Sequence, residues 1–494
     1  MGIIQKQSVT GSVISYLGVL IGFLTTGLLL PNLLSLSENG IIKLLVANAA
    51  LFGQLGTLGF TGVTTRMFTY FRDKQQSHHG FMRIGVLVSL AGFALSVIIF
   101  YLIRNWVLLG KDEAEAVMIA QYIDFVIPMI LANIFFNLFD NFYKVLFDAV
   151  KGALYREVYQ RIFTLAAILW YYYGNISFNW FIWLYVAGYA LPSLMLMFSL
   201  IKDNEFSLKA DPGFLTPGLR KSLVSVGFFS IVVGFSNIAI LNIDSLMVNN
   251  YVGLSETGIY GITFFFGTLV IVPSRIIQKI SSAFLADSWK EGNTKQIRDI
   301  YYKTSINQFI LGALIVIGIW GNIDNIFKIL PAEYEAGKYV ILLISLTNLL
   351  EMAGGASAVI ISVSPKYIAL SIMMVVLLIL IVVSNMIFIP LWGISGAAFA
   401  SLISYFVYVL MRFWYLYYHY RLQPFHINHL KVIVIAISSW LLQLLIPAFN
   451  NFIIDILIRS TAMAIVYTGL SVALRVSEEV EANSKLIIRY LFKR

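Results

Sequence analysis

One carboxylate stands in the middle of a long apolar stretch of this 494-residue chain, where an acid could bind a proton or a small cation. Glu351 lies in the run 339–363, with Asn348 one helical turn before it, and the run contains no Lys or Arg. An ionisable side chain at this depth of a membrane costs roughly 2.5–3.5 kcal/mol, so it is a candidate for function. We predict that Glu351 and Asn348 bind an ion. A hydrogen bond that joins two helices is the alternative.

A second acid, Asp124, shares the apolar run 117–139 with Asn133 and Asn137. We predict that Asp124 faces a central cavity and contacts a substrate or an ion; a polar contact between helices is the alternative. Asp244, close to Asn242, is expected at a membrane interface.

The remaining composition excludes several kinds of site. The chain has no cysteine, which excludes disulfides, thiolate metal sites and cysteine nucleophiles. None of the five histidines forms a His-x-x-x-His pair, and His78 and His79 are expected to be solvated in a charged loop. We therefore predict no metal and no cofactor.

The elements that position these residues are membrane-spanning helices. Hydrophobic residues make up 59% of the chain and charged residues 12%, against roughly 25% charged residues in soluble domains. A spanning helix needs about 20 mostly apolar residues. That template predicts an all-α, polytopic membrane protein with about fourteen helices, at roughly 12–31, 41–63, 81–103, 117–139, 161–174, 180–201, 221–243, 257–279, 304–321, 339–363, 367–389, 393–418, 431–449 and 454–474.

The distribution of basic residues predicts that both termini are cytoplasmic. With that orientation most Lys and Arg residues, including Arg412 near the end of the twelfth run, fall on the inner side, as the positive-inside rule requires. The outer side keeps only Lys43, Arg104, Lys111, Lys328, Lys338 and Arg459. Because the basic residues lie in short clusters between apolar runs, the net charge of +9 does not indicate nucleic-acid binding.

The connections are short, and they suggest how the chain is divided. Pro212-Gly213 and Pro217-Gly218 in the stretch 202–220 are typical of a linker. The stretch 140–160 mixes charged and apolar residues and is predicted to lie as an amphipathic helix on the inner surface. The predicted divisions are an N-terminal six-helix lobe at 1–201, a cytoplasmic linker at 202–220, a C-terminal six-helix lobe at 221–420, and two extra helices with a cytoplasmic tail at 421–494.

An internal repeat links the two lobes. At an offset of 218 positions, LPNLLSLSENGI (30–41) aligns with VNNYVGLSETGI (248–259), so that Ser37 matches Ser255 and Gly40 matches Gly258. Six helices separate the copies, which gives both lobes the same orientation in the membrane. Such a parallel repeat is related by an axis along the membrane normal, with a substrate cavity between the halves and alternating access.

The chain resembles the polysaccharide branch of the multidrug/oligosaccharidyl-lipid/polysaccharide (MOP) flippase superfamily, which includes O-antigen flippases. The resemblance covers essentially the whole chain. It rests on the plan of six, six and two helices, the LSLSENGI turn and its copy, and the cytoplasmic loops with Arg72-Asp73 and Lys290-Glu291. The fourth feature is the Pro-x-x-Gly turn in IPLWGISGAAFASLISY (389–405).

The resemblance implies a flippase of the bacterial inner membrane and not an enzyme. Its cargo would be a polyprenyl-diphosphate-linked oligosaccharide, such as an O-antigen, capsule or exopolysaccharide repeat unit. It would work by alternating access, coupled through Glu351 and Asn348 to H⁺ or Na⁺. Further implied partners are the lipid bilayer and the polysaccharide polymerase or chain-length machinery.

A diphosphate cargo would need cationic partners in the cavity, because its charge must be neutralised there. Arg66, Arg275 and Lys279, at the inner ends of apolar runs, are predicted to bind it, and Lys43 is predicted to form a receiving site on the outer side. Ordinary anchoring of helix ends at the lipid headgroups is the alternative.

The paired cytoplasmic loops are predicted to form an inner gate, in which the charges of Arg72 and Asp73 face those of Lys290 and Glu291. One exposed ion pair contributes at most about 1 kcal/mol, so a gate would need several such contacts. Solvated loops are the alternative.

Three other functions compete with the flippase of polysaccharide precursors. Multidrug or small-molecule cation antiporters of the superfamily generally have twelve helices, and a peptidoglycan lipid-precursor flippase would share all fourteen. A membrane sugar polymerase would need a larger extramembrane segment than this chain contains.

Overall fold

Over its described residues the chain forms helices joined by short connections and no strands, which confirms the all-α prediction. The computed structural model describes residues 3–108, 112–211, 213–447 and 449–481. Two compact units divide the chain, Met1–Gly261 and Ile262–Arg494. The predicted lobe boundary at 202–220 remains a prediction. Most of the basic tail predicted to be cytoplasmic lies outside the described residues.

The first unit is built from long apolar helices joined by short connections. Its α-helices are α1 (Ile3–Gly22), α2 (Leu30–Leu33), α3 (Leu36–Gly56), α4 (Phe60–Phe71), α5 (Phe81–Leu108), α6 (Glu113–Tyr122), α7 (Val126–Val145), α8 (Val150–Leu154), α9 (Gln160–Gly174), α10 (Phe178–Lys202), α11 (Pro217–Tyr251) and the start of α12 (Leu254–Thr268).

The second unit continues from the end of α12 and holds the candidate ion site. Its α-helices are α13 (Val272–Lys290), α14 (Thr294–Gly321), α15 (Ile323–Ile329), α16 (Lys338–Ala353), α17 (Ser357–Ser362), α18 (Ile368–Tyr420), α19 (Ile427–Leu442) and α20 (Phe452–Ala473).

Among the described residues, eleven helices are long and apolar enough to cross a membrane, or twelve if the bent pair α3 and α4 is one span. The predicted fourteen runs all lie on helices, and the difference comes from two places. The 53-residue α18 contains both the eleventh and the twelfth run. The fifth run lies on α9, which has fifteen residues and is not one of the eleven.

The long helix α18 is a hairpin of two helices. Trp392 and Gly393 inside it have non-helical torsion angles, and Gly393 has φ +57° and ψ −135°, a conformation that suits only glycine. Ser384 Oγ and Ser404 Oγ then lie 3.1 Å apart, although twenty residues of straight helix would separate them by about 30 Å. The chain therefore reverses at the Pro-x-x-Gly turn, and each arm accounts for one predicted run.

The prediction of an amphipathic helix over 140–160 is wrong. Helix α7 continues to Val145, and α8 begins at Val150 and runs through a π-helical turn, Tyr155–Tyr159, into α9. The charged face of this turn packs on α1. Arg161 donates to Glu157 at 2.7 Å, and a Cβ added at Gly22 would lie 1.8 Å from Arg161 Nη1. The fifth helix thus begins earlier than its apolar residues indicate, because α1 covers its charges.

The repeated turn after the first apolar run starts helix α3 with a capping box. Ser35 Oγ accepts from the amide of Glu38, and Glu38 Oε2 accepts from the amide of Ser35 at 2.8 Å. Two amides that would otherwise lack partners at the helix start are satisfied in this way.

The two copies of the repeat contact each other reciprocally within the first unit. Ser37 Oγ lies 3.0 Å from Ser255 Oγ. A Cβ added at Gly40 would lie 2.1 Å from the carbonyl oxygen of Leu254, and one added at Gly258 would lie 2.2 Å from that of Leu36. Contacts of residue i with j and of j with i are those made by copies related by a twofold axis.

Candidate functional site

Glu351 is paired with an arginine from another helix. Arg412 of α18 donates from Nη1 to Glu351 Oε1 at 2.9 Å, and its Nη2 contacts Glu351 Oε2. The Arg412 side chain is fully buried, and 16% of the Glu351 side chain remains exposed. Two parallel bonds between a guanidinium and a carboxylate form the strongest common type of ion pair.

Tyrosines surround the guanidinium of Arg412 on its other sides. Its Cζ lies 4.3 Å from the ring centroid of Tyr408, one turn earlier on α18, which gives a cation–π contact. Tyr301 of α14, also fully buried, lies close enough to interact with it electrostatically. Arg412 Nε makes no hydrogen bond with the described residues. The side chain of Arg412 is thus enclosed by protein, whereas the side chain of Glu351 is partly accessible.

The sequence did not predict this contact. Arg412 was assigned to the inner side with the other cytoplasmic basic residues, which remains a prediction, and the structure shows it buried and paired with the acid. The contact joins α16 to α18, as the alternative for Glu351 stated. Sixty-one positions separate the two residues, so no local pattern could reveal their pairing. The predicted role of Glu351 in ion coupling remains a prediction.

Asn348 fastens α16 to its neighbour. Its amide nitrogen donates to the carbonyl oxygen of Gly267 at 3.1 Å and to that of Ile344 at 2.9 Å. Helix α12 can approach so closely because a Cβ at Gly267 would lie 2.7 Å from Ile344 Cβ. The structure therefore gives Asn348 a contact between helices, and its predicted role beside an ion is not tested by it.

Helix α16 ends at Ala353, two residues after Glu351, and a break formed by Gly354 and Gly355 follows. Gly355 has φ +54°, and a Cβ there would lie 2.7 Å from the backbone nitrogen of Ser305 in α14. Thr304 Oγ1 accepts from the amide of Ala356 at 3.2 Å. The break next to the acid is therefore held by the backbone and hydroxyl groups of α14.

The predicted cationic residues are spread over both units. In the first unit Arg66 is exposed on α4. In the second unit Arg275 and Lys279 are exposed one turn apart on α13, and they can act as a pair. Their roles in binding a diphosphate remain predictions.

Lys43 lies in a polar cluster of the first unit. It is half-buried on α3 and interacts electrostatically with Asp244 of α11. Tyr260 donates its hydroxyl to Asp244 Oδ2 at 3.0 Å, and both residues are buried. Asp244 is thus covered by protein, and the expectation that it lies near a membrane interface remains a prediction.

Asp124 does not lie in the middle of a regular helix. It occupies a 3₁₀ turn, Ile123–Phe125, between α6 and α7, where Pro128 has no amide proton to continue the α-helical pattern. Its Oδ2 lies 3.3 Å from Nη2 of Arg104, and 47% of its side chain is exposed. The contact between helices stated as the alternative is present, and a contact with cargo remains a prediction.

The predicted gate residues of the first unit have local partners. Arg72 Nη2 donates to the carbonyl oxygen of Val145 at 2.6 Å, and its Cζ lies 4.7 Å from the ring centroid of Phe147. Asp73 Oδ1 accepts from the amides of Gln75 and Gln76 and so forms an Asx turn. In the second unit Lys290 and Glu291 are exposed at the end of α13. The gate remains a prediction.

The two histidines expected to be solvated instead fasten the loop after α4 to the linker after α10. His78 Nε2 lies 2.9 Å from Glu205 Oε2, and His79 Nδ1 lies 2.8 Å from Asp211 Oδ2. His79 also stacks on Phe214, with the ring centroids 3.8 Å apart. We call these five residues the histidine clasp.

Part of the backbone of the histidine clasp has left-handed torsion angles. Ser77, His78 and His79 all have φ near +50°, the left-handed region that non-glycine residues rarely adopt. The contacts of the two rings with the linker stabilise this turn. In a solvated loop no such contacts would stabilise these torsion angles. The only local indication of them in the sequence is the glycine that follows, Gly80.

No known protein family matches the sequence, and no curated protein does. Solved structures do match it. That of the lipid II flippase MurJ in its inward closed conformation has a TM-score of 0.75 at 13% identity, over 95% of this chain and 98% of that one. The inward-facing and outward-facing forms of a multidrug resistance MATE transporter of the MOP superfamily have TM-scores of 0.62 and 0.57, both at 14% identity. They cover 82% and 83% of this chain, and 93% and 94% of theirs.

The chain has the MOP-superfamily fold. This confirms the predicted resemblance at the level of fold, and the described residues include eleven or twelve helices that are long and apolar enough to cross a membrane. The sequence predicts fourteen helices, which are two more than the twelve of the six-plus-six core.

Proposed function

We propose that the chain is a flippase that moves a polyprenyl-diphosphate-linked oligosaccharide across a bacterial inner membrane by alternating access. The observation that carries this proposal is the extent of the structural match. The lipid II flippase covers nearly the whole chain, whereas the multidrug transporters leave about a sixth of it unmatched. A cargo with a lipid tail is therefore favoured over a small cation.

The distribution of basic residues favours an orientation with both termini in the cytoplasm. Cargo would then enter from the inner side, to which the sequence assigns Arg66, Arg275 and Lys279, and leave at the outer side, where basic residues are scarce. The reciprocal contact of Ser37 with Ser255 would lie at that outer end. Opening and closing of this contact would provide the outer gate of an alternating-access cycle.

Coupling to an ion would take place at Glu351. Its carboxylate is partly exposed and is held by a buried guanidinium, so uptake of a proton or a cation would loosen the bond between α16 and α18. A change at one carboxylate would then alter the packing of two helices that form part of the second unit.

A peptidoglycan lipid precursor is a second candidate cargo, because the lipid II flippase is the solved structure that covers the chain best among those compared above. The two cargoes share the polyprenyl diphosphate and differ in the sugar and peptide. An oligosaccharide repeat unit remains the first choice, because the turn at 389–405 resembles that of O-antigen and capsule flippases.

Reconstitution into vesicles tests the proposal. Vesicles that contain the protein should expose a fluorescent polyprenyl-diphosphate oligosaccharide from the inner leaflet to an impermeant reagent faster than empty vesicles do. In cells, loss of the protein should trap repeat units on the cytoplasmic face. Normal export in such cells, together with no movement in vesicles, would overturn the proposal. Movement of lipid II alone would establish the second candidate.

A further inference from the structure

A buried chain of hydrogen bonds connects α19 to the end of the helix that carries Glu351. Ser305 Oγ of α14 donates to the carbonyl oxygen of Ala353 at 2.5 Å, two residues after Glu351. His429 Nε2 of α19 lies 3.0 Å from the same Ser305 Oγ. Ser305 is fully buried and His429 nearly so. The helix pair added to the six-plus-six core thus reaches the break in α16.

The hydrogen-bond network assigns the protonation state of His429. A serine hydroxyl has one proton, and that of Ser305 goes to Ala353, so Ser305 must accept the proton of His429 Nε2. At the other ring nitrogen, Nδ1 accepts from the amide of His426 at 3.3 Å and therefore carries no proton. The ring is thus the neutral Nε2–H tautomer.

A second proton on His429 would break this arrangement. It would bind to Nδ1, which faces the amide proton of His426 at the start of α19, where the helix dipole is also positive. The ring packs on Phe309 of α14 and on Phe425 before α19, and neither can compensate a charge through a carboxylate. The exposed His426 is the titratable neighbour on its own helix.

The nearest charged groups on α16 and α18 are paired with each other. Glu351 of α16 and Arg412 of α18 form the buried ion pair described above. Arg412 Nη2 would lie 3.4 Å from a Cβ added at Gly354, so the guanidinium borders the break that Ser305 holds from the other side. A shift of the Ala353 carbonyl would therefore be transmitted to the pair within one turn of helix.

We propose that His429 is a positioning residue for Glu351. Neutral His429 orients Ser305, Ser305 holds the carbonyl end of α16, and this keeps Glu351 in register with Arg412. Protonation of His429 turns Nδ1 into a donor that opposes the His426 amide, so the ring must shift; that shift weakens the bond from Nε2 to Ser305 and loosens the end of α16. The inference rests on the proposed ion-coupled transport, and it gives α19 a part in coupling that the twelve-helix core cannot supply.

The pH profile of transport tests this role in the full-length protein. His429→Gln keeps an amide donor toward Ser305 but does not titrate. It should transport about as fast as wild type at pH 8 and lose the pH dependence between about pH 5.5 and pH 8. His429→Leu should be about tenfold slower at every pH, because Ser305 loses its donor. The matched control is His426→Gln, which keeps its backbone amide and should retain the wild-type profile.

A cargo-free measurement separates this inference from the proposed function. The unfolding temperature of wild type in detergent should fall as the pH drops through the histidine range, because the unfolded chain takes up a proton that the fold excludes. That component should be absent in His429→Gln and, if that variant does not fold, in His429→Asn, which also does not titrate, whereas Ser305→Ala keeps the buried ring and should retain it. An unchanged thermal profile in the His429 variants would overturn the inference. A wild type that moves no cargo would overturn only the proposed function.

Discussion

Ser37 Oγ and Ser255 Oγ lie 3.0 Å apart and are separated by 218 positions, the offset that relates the two copies of the internal repeat. Each serine is therefore the counterpart of the other, and their contact lies on the axis between the copies. The same axis brings Gly40 to Leu254 and Gly258 to Leu36. The two stretches that resemble each other in sequence therefore also contact each other, at the starts of α3 and α12.

A cross-link between these serines should stop transport. The chain has no cysteine, so the double variant Ser37→Cys and Ser255→Cys can be oxidised without competing thiols. The hydroxyl separation is compatible with the Cβ separation of about 3.5–4.5 Å that a disulfide needs. We expect the oxidised protein to be inactive in the vesicle assay and active again after reduction. Full activity of a completely cross-linked sample would show that this contact does not open.

Alanine at Gly40 should weaken the reciprocal contact. The added Cβ would lie 2.1 Å from a backbone carbonyl, so α3 and α12 must separate. Such overpacking costs about 1–3 kcal/mol. The unfolding temperature in detergent should fall for Gly40→Ala and for Gly258→Ala alike. Gly318→Ala on α14 is the control, because nothing lies within 4 Å of its Cβ, and it should leave the unfolding temperature unchanged or raise it.

Loss of either partner in the Glu351–Arg412 pair should lower the unfolding temperature in detergent. Arg412→Met leaves the partly exposed acid without its cation, and Glu351→Gln leaves a buried guanidinium without a counter-charge. Removal of one partner from a buried pair costs about 3–5 kcal/mol, so both single variants should be less stable than wild type. The double variant should recover part of the loss.

Transport separates coupling from stability at the same pair. If Glu351 couples transport to an ion gradient, Glu351→Gln should move cargo at a rate that no longer responds to the gradient. The assay compares vesicles with and without a pH or sodium gradient. Wild-type dependence on the gradient in this variant would limit the pair to a role in holding α16 against α18.

The histidine clasp should make stability depend on pH through Glu205. Burial alone would raise the pKa of Glu205, but hydrogen bonds from Lys74 and His78 outweigh it and leave the pKa lowered. A carboxyl with a lowered folded pKa stabilises the fold above its unfolded pKa of about 4.3, and this contribution is lost as the pH falls through the folded value. Glu205→Gln should be less stable than wild type at pH 7, and the difference should shrink below about pH 4.

Denaturation in detergent at a series of pH values measures this effect. Glu333→Gln, which removes an exposed carboxylate of the second unit, is the matched control and should follow the wild-type curve. A constant difference between Glu205→Gln and wild type over the whole range would contradict the prediction.

The features that the sequence predicts are those with local causes. The reversal at Gly393 depends on neighbouring residues, and the repeat can be found because both copies keep the same short turn. The pairing of Arg412 was missed because a basic residue near the end of an apolar run has the same pattern whether it meets headgroups or a distant acid. His78 was misassigned because its partner, Glu205, lies 127 positions away. Contacts between distant segments leave no local pattern.

If Glu351 binds a proton, the Glu351–Arg412 pair would also contribute to the response of the protein to voltage. With both groups ionised, the pair has no net charge, so a movement of α16 and α18 transfers no charge through the field of the membrane. A proton bound to Glu351 would leave the guanidinium uncompensated, and the site would carry one positive charge. Moving that charge across the full potential involves about 2.3 kcal/mol per 100 mV. The proton-loaded step would therefore be electrogenic, and the return step would be electroneutral.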